Sequence, residues 1–187
     1  CIYFAFEEAP MQIVRNMRSV GIDLERHVKS GHLLFSAARP STFGFEMHLA
    51  RMNRDLESFK PRHVVIDPVS AFRGDSWEVH TALLRMIDML KSRGITAFFT
   101  RLTSLAELHG GTEQGISSLI DTWITLTDLE AAGERTRGLY VMKSRGMDHS
   151  KQIQQYVVKS GGIQILKGAF AGNVSTPKPS RPPRPKR

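Results

Sequence analysis

At 187 residues, with 41% hydrophobic and 24% charged positions, the chain has the size and composition of a single globular domain with a buried core. Its apolar runs stop at about six residues, too short for a membrane-spanning helix. One cysteine excludes an internal disulfide and a multi-cysteine metal site, and suits a reducing cytoplasm. The net charge of +8 is unevenly spread: from Ala171 onward there are five basic residues and no acid, which leaves +3 on the body.

In chain order, the nearly unbroken apolar run of residues 1–6 predicts a strand covered on both faces, as in a parallel sheet. Pro10 fits a first helical turn, and Met11, Val14, Met17 and Val20 form a stripe at helical spacing that ends at Gly21. HLLFSAA (32–38) reads as a second strand. A helix over 43–59 follows, with Phe45, Leu49, Met52, Leu56 and Phe59 on one face, closed by Lys60-Pro61. HVVIDP (63–68) is a third strand. The longest helix, 77–93, turns Val79, Leu83, Ile87 and Leu90 inward, and ITAFFT (95–100) is a fourth strand. Strand and helix alternate three times, so the fold class is α/β, with a sheet that begins parallel. Residues 108–115 read as a loop. WITLTDLE and RGLYVMKS, joined by a turn, and two short strands around Gly161-Gly162 make the second half antiparallel or mixed. No boundary is read before about residue 168. The basic, Pro-rich stretch 169–187 cannot bury apolar surface and is expected to be disordered. Weak attraction to nucleic acid is one role for it; a solvated terminus is the plainer reading.

Ligands of open α/β sheets bind beyond the carboxyl ends of the strands. There the sequence places Glu7-Glu8, Asp67 and Thr100-Arg101. An apolar strand ending in Asp, as in VVID, is the Walker B pattern, whose acid holds Mg²⁺ beside nucleotide phosphates; the alternative is an acid that caps the next helix. Adjacent residues on a strand face opposite ways, so only one of Glu7 and Glu8 can face the phosphate unless the backbone has turned. One of them suits a general base; the alternative is a pair of acids decorating a helix start. KSRGMDHS (143–150), on a loop after a strand, offers phosphate-binding cations that could reach a neighbouring subunit, as an arginine finger does; taken alone, the solvated basic turn is the preferred reading. The seven histidines show no metal-site spacing. A glycine-rich phosphate loop, GxxxxGK[ST], is absent from the 187 residues. The chain is therefore expected to be a carboxyl-terminal fragment whose phosphate loop lies upstream, and to bind ATP poorly by itself.

Taken jointly, FAFEE, RNMRSVGID (15–23), VVIDPVSA (64–71), GISSLIDTWI (115–124), GERTRGLYVMKSRGMDHS (133–150) and the final GGIQI resemble the KaiC family of RecA-fold ATPases. The resemblance runs to about Ile165 and implies a RecA-like P-loop NTPase core. It implies ATP and Mg²⁺ as cofactors, bound at the interfaces of a homo-oligomer, a hexamer, in a cytoplasmic protein with regulatory protein partners. It matches Glu7 and Glu8 to the paired catalytic glutamates and Asp67 to the Walker B aspartate, with Glu7 and Asp67 as metal ligands. Arg137, Lys143, Ser144, Arg145 and His149 match the stretch that contacts ATP on the adjacent subunit, with Arg145 catalytic. Ser117 and Ser118 match an adjacent Ser and Thr that are autophosphorylated, and Thr112 matches a nearby threonine; ordinary turn chemistry is the alternative for the serines. The implied function is ATP hydrolysis with Ser/Thr autokinase activity. The alternatives are a non-catalytic nucleotide-binding ring and a RecA-like DNA-dependent ATPase.

Overall fold

The computed structural model describes residues 1–39, 44–72, 74–102, 119–131 and 134–169. They fall into two compact units, one from Cys1 to Ile120 with Ser160–Gly162, the other from Asp121 to Lys159 and on from Ile163.

The first unit is built on β1 (Ile2–Ala5), β2 (Leu34–Ala37), β3 (His63–Asp67) and β4 (Thr96–Phe99), all parallel, in the order β2-β1-β3-β4. Between them run α1 (Pro10–Ser19), a short α2 (Glu25–Lys29), α3 (Phe45–Phe59) and α4 (Ser76–Ser92). Residues in register share a face, so Ile2, Phe4, Val64 and Ile66 point one way. They are sealed against Met52 and Leu56 of α3 and Met86 and Leu90 of α4. Each such fully buried side chain contributes about 1.5–3 kcal/mol of transfer free energy. The opposite face carries Tyr3, Phe35, Val65 and Phe98. Among the described residues it is only partly covered: Phe98 is 59% exposed. The both-faces burial expected of strand one therefore holds fully for one face.

Of the helices the sequence signals, α3 and α4 follow their pattern and α1 departs from it in part. Asp75 caps α4 by accepting from the Glu78 N–H at 2.8 Å, and Leu83, Ile87 and Leu90 are buried as the spacing predicts. On α1 the expected stripe is displaced. Met11 is 79% exposed, while Ile13 and Val14 are buried; Pro10 occupies the first turn, so Met11 lies beside it at the open helix start. Helix α1 ends at Gly21, with φ at +81°. The Val20 carbonyl accepts from Gly161 N–H at 2.8 Å, and a Cβ on Gly21 would lie 2.5 Å from that nitrogen. Only glycine fits both demands.

The second unit is a sheet in the order β5 (Thr122–Ala131), β6 (Glu134–Ser144), β7 (Gln154–Lys159), β8 (Gly162–Ala169). β6 pairs antiparallel with both β5 and β7. Leu129 and Tyr156 are buried here, and Gly138 lets β6 pass close to Leu129 and Ile153.

Candidate functional site

Asp67 is the last residue of β3, opposite Ala5 at the end of β1. The chain continues across the tip of the sheet, where Phe6 N–H donates to the Asp67 carbonyl at 2.9 Å. Beyond Ala5 the backbone bends through residues 6–8, so strand alternation no longer decides which glutamate faces Asp67. Glu7 and Glu8 are both exposed, and α1 has no acid in its first turn and Ala9 at its cap.

The Asp67 side chain does not cap a helix. Its two oxygens accept from two hydroxyls: Tyr3 Oη donates to Oδ2, and Thr100 Oγ1 donates to Oδ1. Thr100 is itself pinned, its N–H donating to Ile66 O at 3.0 Å and its carbonyl accepting from Val69 N–H at 2.9 Å. Burial, first, and then the hydrogen bond to Asp67 and the charges of Asp67 and Glu8 push the Tyr3 phenol well above its ordinary value. The phenol therefore stays protonated, and a donor, at neutral pH.

Tyr3 and Thr100 are the site residues that sequence reasoning missed. Thr100 was visible as a strand-end residue without a role. The signal for Tyr3 was a lone hydroxyl inside an apolar strand, since a buried tyrosine needs an acceptor.

In the second unit, Lys143 and Ser144 close β6 opposite Trp123 and Thr122. Thr122 Oγ1 and Ser144 Oγ lie 3.2 Å apart. Arg145 N–H donates to Asp121 O at 2.8 Å, and Gly146 turns the chain with φ at +70°. His149 lies farther along, its N–H bonded to Asp148 Oδ1 at 2.9 Å. The structure thus gathers Lys143, Ser144 and Arg145 at one strand end. It does not bring Arg137 there. Arg137 sits mid-strand, opposite Asp128 on β5 and Tyr156 on β7, and the strand rise separates it from Lys143 by roughly 20 Å. Thr112, Ser117 and Ser118 lie outside the described residues, as does the tail from residue 170.

Among the described residues no three of His, Cys, Asp and Glu gather as a metal-holding group. No helix among them is long and apolar enough to cross a membrane.

A family model described as the KaiC ATPase matches residues 1–169. The chain is 41% identical over 176 residues to the circadian clock protein KaiC2 of Synechocystis sp., covering 92% of this chain and 31% of that protein. It is 39% identical over 175 residues to the circadian clock oscillator protein KaiC of Parathermosynechococcus lividus, covering 92% of this chain and 32% of that protein. Against KaiC3 of Synechocystis sp. the identity is 33% over 172 residues, 89% of this chain and 34% of the relative. The chain spans about a third of the length of these curated relatives. A parallel sheet with an acid at the tip of β3, an adjoining antiparallel sheet in the sequence, and a family match across both agree: this chain belongs to the KaiC family of ATPases.

Proposed function

We propose that this domain hydrolyses Mg²⁺-bound ATP as part of a ring-shaped homo-oligomer, a hexamer, with nucleotide at the subunit interfaces. The observation that carries the reading is the Asp67 carboxylate at the carboxyl end of β3, held by hydroxyls from Tyr3 on β1 and Thr100 just past β4. The donor set supports Mg²⁺. It consists of carboxylate and hydroxyl oxygens without thiolate, and it offers one or two acids rather than a closed cage, which suits an ion that keeps several of its waters. Asp67, with Glu7 or Glu8, would hold that ion, which when bound neutralises charge on the phosphate oxygens.

In this reading Glu8 takes the proton of the attacking water, and Glu7, exposed beside it, supports it. The bond from the γ-phosphorus to the ADP oxygen breaks as the new phosphorus–oxygen bond forms. Lys143, Ser144, Arg145 and His149 contact ATP held by the adjacent subunit, Arg145 stabilising the charge that develops there, as an arginine finger does; Arg137 contributes separately. A serine hydroxyl in place of water gives the autokinase branch, with Ser117 and Ser118 as acceptors.

The test is phosphate release by the full-length protein. Glu8→Gln should lower turnover about 10²–10⁴-fold, the range for loss of a general base, and Glu7→Gln should lower it less. Normal turnover in the double variant overturns the assignment. Phosphopeptide mapping after incubation with Mg²⁺-ATP tests the kinase branch, and phosphate absent from both serines would leave hydrolysis alone.

A further inference from the structure

Tyr3 has a place in the site that strand chemistry alone does not require. It stands on β1 opposite Val65, and Asp67 is two residues farther along β3 on the same face. The two form a diagonal cross-strand pair, within reach of a long aromatic side chain. The ring is held from the other side by Phe35, with centroids 5.3 Å apart and planes at 44°. Its hydroxyl donates to Oδ2 of Asp67 while Thr100 donates to Oδ1. A carboxylate has about four lone-pair sites, so two donors, one on each oxygen, fix the plane of the group and leave lone pairs for a further partner.

We propose that Tyr3 is a positioning residue for Asp67: together with Thr100 it clamps the carboxylate in one orientation, in which its remaining lone pairs meet the hydrated Mg²⁺ of the nucleotide. This rests on the ATPase reading given above. Thr100 sits on a backbone fixed by two hydrogen bonds. Tyr3 is held as well, on a strand paired on both sides and with its ring against Phe35, so each arm of the clamp has a fixed base. Removing the phenol oxygen frees Asp67 to rotate about its side-chain bonds without removing the acid.

The experiment uses the full-length protein and its Tyr3→Phe and Asp67→Asn variants. Mn²⁺ binding in the presence of a non-hydrolysable ATP analogue is followed by electron paramagnetic resonance, beside turnover as a function of Mg²⁺. Loss of an outer hydrogen bond to a metal-holding group weakens metal binding by 10–100-fold in general. Tyr3→Phe should weaken Mn²⁺ binding about 10-fold and raise the half-saturating Mg²⁺ by a similar factor, with a smaller change in turnover at saturating Mg²⁺. A lower thermal midpoint with unchanged Mn²⁺ affinity would show a merely structural tyrosine and overturn the proposal. If Asp67→Asn keeps normal Mn²⁺ binding and turnover, the ATPase assignment of Asp67 fails instead. Should Tyr3→Phe fail to fold, the wild-type protein still decides. Mg²⁺ added with the analogue should perturb a tyrosine near-ultraviolet band, and that perturbation should vanish in Asp67→Asn; its absence from the wild type overturns the proposal.

Discussion

Gly138→Ala tests whether the second unit is held together by the close approach of β6 to Leu129. Gly138 pairs with Thr127 on β5 and Gln155 on β7, so its backbone cannot retreat without moving two neighbours. A Cβ built there lies 2.6 Å from Leu129 Cδ1, 2.9 Å from Ile153 Cγ2 and 3.0 Å from Leu129 Cγ. Carbon atoms prefer about 3.5–4.0 Å, so the first contact is short by about 1 Å. Leu129 is 2% exposed and has no solvent to swing into. Overpacking of this kind costs about 1–3 kcal/mol. Leu129→Ala alone should cost about 2–5 kcal/mol through the cavity it leaves. In the double variant the new methyl occupies part of that cavity, so the combined loss should fall short of the sum by about 0.5–3 kcal/mol. Urea unfolding of the four proteins measures the cycle, provided the slopes agree. A double variant whose loss equals the sum of the singles would refute the packing argument, because it would show that the methyl and the leucine never compete for space.

Two further outcomes follow from the first unit. Tyr3 ionises above its unfolded value of 10.0, chiefly because it is buried. Folding thus favours the protonated phenol; that contribution is whole below the unfolded value and is lost as pH rises through the raised one. An alkaline titration of tyrosine absorbance should show a late-ionising group that is missing in Tyr3→Phe and only partly advanced in Asp67→Asn; full return to the ordinary value in Asp67→Asn would mean that burial is not the main cause. Gly21→Ala should lower the thermal midpoint, since it places a side chain at φ +81° and drives its Cβ into the Gly161 backbone. The left-handed conformation alone costs about 1–2 kcal/mol, and an unchanged midpoint would show that the contact gives way freely.

The order of strands and helices was legible because each buried strand is a short apolar run and each long helix repeats its apolar face. Met52, Leu56, Leu83 and Leu90 all lie where their spacing puts them. The failures have local causes. The five-residue helix α2 buries nothing, so it has no periodicity to read; its start is marked only by Asp23 accepting from Glu25 N–H at 3.1 Å. Met11 belonged to a stripe in number but not in burial, because the first turn of α1 lies at the open end of the helix. Asp67 was visible as a strand-end acid, whereas its partners Tyr3 and Thr100 come from β1 and the end of β4. Such partnerships depend on sheet register, which one sequence does not print.

β6 acts as a ruler. Extended backbone is stiff, and this strand is flanked by neighbours on both sides, so the guanidinium in its middle and the cations at its tip are graduations that cannot slide together. No single phosphate group can be gripped by both at once. A partner that met both would therefore have to be long enough to lie along the strand, or touch it at two separate points.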